Sequence, residues 1–146
     1  MKVRPAALIY RNGAILTMRY QIREEFFYVL PGGNPDPGES LKVALKRELA
    51  EELGVQVAVE DMILVGEVLH FNQKEDTLHC LFRVTIEKGE PCLDPAHTTA
   101  QSLEWLLWEQ LSEVTLYPNF SEHLTESFFE AQEFSYTGPL KQPFKG

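Results

Sequence analysis

Cysteine is scarce. Cys80 and Cys92 are the only two in 146 residues, too few for a disulfide framework and not at zinc-ligand spacing, so both read as reduced and structural. Long hydrophobic runs are missing as well: stretches such as Met62 to Leu69 are short and interrupted, which excludes a spanning helix. The opening Met1-Lys-Val-Arg-Pro5 lacks the apolar core of a signal peptide, and the expected location is cytoplasmic. Positive charge is in deficit too, with 13 Lys+Arg against 22 Asp+Glu and a formal net charge of -9. An acidic chain repels phosphodiester backbones and anionic lipid, so neither duplex nucleic acid nor membrane is an expected partner. A phosphate-bearing ligand would need positive charge from another source.

What is present suits a folded protein. Hydrophobic residues make up 44% and charged residues 24%, which excludes disorder and low-complexity fibres. The length fits one domain, read here as residues 1–132. The tail over 133–146 has no periodicity and is expected to be extended or loosely docked.

Along the chain, Asn12-Gly13 between Ala6–Tyr10 and Ala14–Met18 predicts two strands paired through a tight turn, because both turn residues tolerate positive φ. A charged loop over Gln21–Glu25 leads to an aromatic strand, Phe26–Leu30, stopped by Pro31-Gly32-Gly33. Ser40 is an N-cap candidate for a helix closed by Gly54. Strands are expected over Val55–Glu60, Met62–Phe71 and Leu78–Ile86. In the last of these Leu78, Cys80, Phe82, Val84 and Ile86 form an apolar face opposite His79, Leu81, Arg83 and Thr85. A long loop over Lys88–Ala100 precedes Leu103–Trp108, whose Trp105 and Trp108 are expected to pack on the sheet, and a helix over Asn119–Gln132.

The helix after Ser40 has a composition that packing alone does not explain. At 100° per residue Leu41, Ala44, Leu45, Leu49 and Leu53 form its apolar stripe, and Glu48 and Glu52 fall within roughly 20° of Leu41. These two carboxylates are i,i+4 neighbours, and Glu51 and Glu52 stand where the helix dipole is already negative. A solvated acidic face with an Arg47–Glu51 pair is the bland alternative. A bound cation would turn the repulsion into attraction, and an oxygen-only donor set suits Mg²⁺ or Mn²⁺.

Residues Gly33 to Val55 read GNPDPGESLKVALKRELAEELGV. The string resembles a complete Nudix box, G-x5-E-x7-R-E-U-x-E-E-x-G-U with U aliphatic, and departs from it nowhere. With seven fixed residue types, a chance match at one start site is on the order of one in 10⁸. The resemblance implies an α/β fold, a Nudix-type α/β/α sandwich around a mixed β-sheet. It also implies Mg²⁺-dependent (or Mn²⁺-dependent) hydrolysis of a phosphoanhydride bond in a nucleoside diphosphate linked to another group. Substrates of that description include nucleoside triphosphates, oxidised nucleotides, nucleotide sugars and dinucleotides.

Carried onto this chain, the resemblance makes Glu48, Glu51 and Glu52 the metal ligands, with a Gly32 carbonyl as a further donor. Arg47 would orient a glutamate by charge-assisted hydrogen bonds, and Glu39 would accept near the junction of loop and helix. Gly33 would provide a turn against the substrate. The general base is open among Glu51, Glu48 and the loop residues Glu90, Asp94 and His97. Arg23 and Tyr28 are substrate-binding candidates, within a wider set of Arg4, Arg19, Tyr10, His70, Phe71 and Arg83. The competing reading is a Nudix-fold nucleotide-binding or regulatory module without turnover, whose mark would be a degraded box. A purely structural acidic domain would show no Mg²⁺ dependence. A small-molecule phosphate is the expected partner, and self-association as a homodimer is left open.

Overall fold

The structure, a computed structural model, describes residues 1–70 and 75–141. In chain order its elements are β1 (Lys2–Leu8), β2 (Tyr10–Arg11), β3 (Ala14–Ile22), β4 (Glu25–Val29), α1 (Leu41–Leu53), β5 (Gln56–Val68), β6 (Thr77–Lys88), β7 (Ser102–Leu107), β8 (Leu116–Tyr117), α2 (Glu126–Ala131) and β9 (Ser135–Pro139). One sheet runs β1-β6-β5-β9, with β1 parallel to β6, β5 antiparallel to β6 and β9 parallel to β5. The other runs β2-β3-β4-β8, with β7 antiparallel to β3. This is a mixed α/β fold, as the sequence led us to expect. No helix among the described residues is long and apolar enough to cross a membrane.

Alternation along the strands sends neighbouring residues into two cores. Leu45, Leu49 and Leu53 of α1 pack with Leu16, Met18, Cys80 and Phe82. Ile15, Leu64 and Leu81, one residue out of phase, pack with Leu30, Trp108, Phe120 and Leu124, and Phe128 and Phe129 of α2 lie against this second core. A fully buried leucine contributes about 1.5–3 kcal/mol, so the leucine row of α1 fixes that helix firmly.

Several expectations about local structure change. Asn12 and Gly13 do take positive φ, 51° and 81°, but the pairing across the turn is short: Tyr10 and Arg11 form the ladder, and the Ile9 carbonyl accepts from the Leu16 amide at 3.0 Å. The preceding residues leave for the other sheet, where Lys2 to Leu8 run beside Thr77 to Arg83. The charged loop is a tight hairpin with Arg23 at φ 60°, which lengthens both flanking strands. The two strands expected after the helix are one, β5, with register shifts between Val59 and Leu64. The face of β6 opposite the apolar one also holds buried residues, His79 and Leu81, because the second core covers it. The helix expected over Asn119–Gln132 is only α2: Phe120 and Leu124 close one separate turn, and Thr125 then caps a fresh start through the Phe128 amide. Beyond it, Ser135–Pro139 pair with β5, and the Leu140 amide donates to the Glu67 carbonyl at 2.8 Å.

Candidate functional site

Helix α1 starts where Ser40 Oγ accepts from the Val43 amide at 3.2 Å and ends at Gly54 in the left-handed region, φ 68°. Both ends are thereby satisfied within the chain. Between them Arg47 is a hub. Its Nε and Nη2 donate to the two Glu39 oxygens at 2.8 and 2.9 Å, and Nη1 donates to Glu48 at 3.1 Å and Glu51 at 3.3 Å. Nη2 also donates to the Asn34 carbonyl at 3.2 Å, and Asp36 Oδ2 lies 3.4 Å from Nε. Glu39 in turn accepts from the Asp36 amide at 2.7 Å. The forked guanidinium thus ties the glycine-rich loop to the helix by charge-assisted bonds that a lysine cannot reproduce. Glu39 is held below the usual carboxylate range, first by the Arg47 hydrogen bond.

The glycine turn meets the same helix. The Ala7 amide donates to the Pro31 carbonyl at 2.7 Å, the Gly33 amide to the Pro5 carbonyl at 3.3 Å, and Gly32 bridges Ala6. A Cβ at Gly33 would overlap the Glu48 side chain, and one at Gly32 would overlap the Pro5 carbonyl and Ala6. Both glycines are therefore required by close approach.

Glu52, partly buried beside Glu48, has its carboxyl pushed up to about 7, by burial first and then by the Glu48 charge, with Arg4 acting in the opposite direction. Glu48 and Glu52 thus form a close pair of oxygen donors that disfavours two negative charges, the condition a hard divalent cation relieves. The donor chemistry fits Mg²⁺ or Mn²⁺. Among the described residues no three His, Cys, Asp or Glu side chains stand together as a ready ligand set; Glu51 is turned onto Arg47.

The loop from Gly89 onward is stitched to the end of α1 by the Cys92 amide on the Leu53 carbonyl at 3.0 Å and the Asp94 amide on the Glu52 carbonyl at 2.9 Å. Of the loop candidates, Glu90 is paired with Arg11 at 2.8 Å. Asp94 accepts from the Ala96 amide at 2.9 Å and stands 3.0 Å from His97 Nδ1. Asp94, with smaller contributions from Glu51 and Glu52, raises the His97 pKa.

The substrate candidates scatter. Arg23 is exposed at the β3–β4 turn, and Tyr28 is half-buried against the second core. Arg19 stands over Phe26, its Cζ 4.5 Å from the ring centroid, Tyr10 rests on Trp108 and Phe129, and Arg83 donates to the Phe129 carbonyl. Trp105 lies under Arg11 and Trp108 is buried in the second core. Phe71 lies outside the described residues. Arg4 and His70 do come together, in a cavity of about 480 Å³ that also takes in Lys2, Asn34, Tyr20, Phe27, His79 and Tyr117. Asn34 connects this cavity to Arg47, and Arg4 connects it to Glu52.

Sequence reasoning missed Tyr20, Phe27, His79 and Tyr117. The one available signal was His79 on a strand with apolar residues on both faces. It is only 1% exposed, and neither ring nitrogen has a hydrogen-bond partner. Burial foremost, and then the Arg4 and His70 charges, pull its pKa down to about 3.

The family model described as NUDIX domain matches residues 2–128. Solved structures similar to this chain include the E. coli ORF135 protein in solution, 26% identical over 90% of this chain and 89% of that one, with a TM-score of 0.66. The MutT protein from Methanosarcina mazei Go1 is 25% identical over 89% and 94%, with a TM-score of 0.67. The MutT NUDIX hydrolase from Burkholderia pseudomallei is 29% identical over 74% and 84%, with a TM-score of 0.60.

Proposed function

The chain belongs to the Nudix family and is a Nudix pyrophosphohydrolase, and from that premise we propose that it uses Mg²⁺ or Mn²⁺ to cleave a phosphoanhydride bond in a nucleoside diphosphate linked to another group. The observation that carries this reading is the Glu48–Glu52 pair, with Glu48 pressed against Gly33 and bonded by Arg47, and Arg4 acting on Glu52 from the adjoining cavity.

Glu48 and Glu52 would hold the cation, with Glu51 and the Gly32 carbonyl as further donors. When bound, a divalent cation offsets the negative charge of a pyrophosphate and activates water for attack at phosphorus. Arg47 keeps Glu48 and Glu39 in fixed orientation, so that little reorganisation is needed as charge develops. Arg4 adds a cation on the substrate side, which matters in a chain of net charge -9. Asp94 and His97, tied to the end of α1, are the loop groups nearest to a general-base role, in competition with Glu51 and Glu48. The enzyme would draw its substrate from the small-molecule phosphates of the cytoplasm.

The test is product release from nucleoside triphosphates, oxidised nucleotides, dinucleoside polyphosphates, ADP-ribose and nucleotide sugars, with and without Mg²⁺, beside Glu52→Gln. Mg²⁺-dependent turnover of one class, lost in the variant, is expected. Silence across the panel with tight nucleotide binding would replace the hydrolase by a binding module.

A further inference from the structure

We propose that His79 sets the substrate preference of this site by hydrogen-bonding an edge atom of a nucleobase from the floor of the 480 Å³ cavity. The proposal rests on the nucleotide-hydrolase reading above and adds to it which part of the substrate the cavity takes and which residue reads it.

The strand register builds the cavity. β1 and β6 run side by side with Lys2 opposite Thr77 and Arg4 opposite His79. Residues two apart share a face, so these four side chains point the same way, and all four line the cavity. Across from them Tyr20 and Phe27, opposite each other in the β3–β4 register, stack with centroids 5.4 Å apart and planes 17° apart. The cavity therefore has an aromatic wall, two cations, the Glu75 carboxylate, and two imidazoles, of which His79 is deeply buried.

His79 has no structural explanation in its surroundings. Its ring meets Tyr117 edge-on at 5.9 Å, and neither nitrogen is hydrogen-bonded. A phenylalanine or leucine would fill that volume without an orphaned polar atom, whereas an unpaired buried donor or acceptor destabilises a fold. A neutral imidazole offers one N–H and one lone pair. A planar heterocycle with polar edge atoms satisfies it while lying against Tyr20 and Phe27. Inorganic polyphosphate would use only Lys2 and Arg4. Asn34 lines the same cavity and its carbonyl accepts from Arg47 of α1 at 3.2 Å, so a base at His79 leaves the phosphates on the side of α1. A site built around a buried polar group discriminates strongly, since the wrong ligand leaves that group unpaired.

The experiment compares the full chain with His79→Phe and His79→Gln. Calorimetry without metal measures binding of AMP, GMP, CMP, UMP and, as a probe lacking a base, ribose 5-phosphate; kcat and KM follow for the corresponding triphosphates. The wild type is expected to prefer one or two of the four monophosphates. His79→Phe should weaken the preferred one by about tenfold and bring the four nearly level, with ribose 5-phosphate unchanged and KM rising far more than kcat falls. Partial recovery in His79→Gln is expected, and His79→Leu gives the same comparison if the phenylalanine variant does not fold. A base preference that survives His79→Phe overturns the proposal, as does an equal loss for ribose 5-phosphate or a wild type that binds none of the four. If Mg²⁺-dependent turnover persists in those cases, only the role of His79 has failed. A base preference lost in His79→Phe, in a protein without turnover, sinks the hydrolase reading and keeps the pocket.

Discussion

Gly33 lies so close to Glu48 that a Cβ on the glycine would overlap the glutamate's Cγ, Cδ and Oε2. The glycine turn after β4 thereby sets how near the backbone comes to the helix carboxylates. Gly38, five residues on, is a glycine for a different reason: its φ is 86°, and a Cβ there would meet nothing within 4 Å.

The two alanine variants should separate accordingly. Gly33→Ala displaces the Glu48 carboxylate and is expected to lower kcat/KM by at least about tenfold, since a displacement of about 1 Å in a catalytic constellation can cost more than that. Gly38→Ala carries only backbone strain, about 1 kcal/mol of stability, and should keep its activity. Steady-state kinetics and thermal melts on both variants check this; equal activity losses would remove the close-approach argument.

Arg47 gives the second prediction. Arg47→Lys keeps the charge and loses the fork that engages Glu39 through both oxygens while reaching Glu48, Glu51 and the Asn34 carbonyl. Turnover should fall in Arg47→Lys, and also in Glu39→Gln, with the double variant losing much less than the product of the two, because both substitutions break one network. Independent, multiplying losses would show that Arg47 and Glu39 act separately.

Glu52→Gln removes one member of a carboxylate pair whose members repel, without changing side-chain volume. Without metal the variant should melt at or above the wild-type temperature. Its Mg²⁺-dependent turnover should fall by at least about a hundredfold, the scale of the several kcal/mol a metal contributes to a transition state. A lower melting temperature together with full activity would make the pair structural.

The sequence was most legible where local chemistry sets local geometry. Ser40 and Gly54 mark the helix because a hydroxyl and a left-handed glycine satisfy its ends. The spacing of the box places Arg47, Glu48, Glu51 and Glu52 on it before any packing is known. Long-range pairing was not legible: nothing in Lys2–Leu8 says that it runs parallel to β6 while Tyr10–Arg11 stay with β3. The expected helix over Asn119–Gln132 fails because Thr125 can cap a new helix wherever the chain before it turns away. The cavity is a product of such pairings. Arg4 and His79 are 75 residues apart in sequence and meet only through strand register, so their relation to Tyr20 and Phe27 could not be read from spacing.

His79 gives the last prediction, in the pH dependence of stability. An unfolded histidine titrates near 6.5, and burial with Arg4 and His70 nearby takes the folded value to about 3. Between those two values the unfolded chain binds a proton that the folded chain refuses, so stability rises with pH across that window. The contribution is fully present above 6.5 and is lost as the pH falls toward 3. His79→Phe removes this term and also the orphaned nitrogens. It should therefore melt at or above the wild-type temperature at pH 7, and its advantage should widen as the pH is lowered to 4.5. The carboxylates that titrate in the same range are common to both proteins and drop out of the difference. Melting curves at half-unit pH steps provide the measurement. A difference that stays flat with pH would mean that the imidazole takes up its proton as readily in the fold as in the unfolded chain, with water or a partner to hold the charge. Its nitrogens would then not be orphaned, and the case for a base at His79 would lapse.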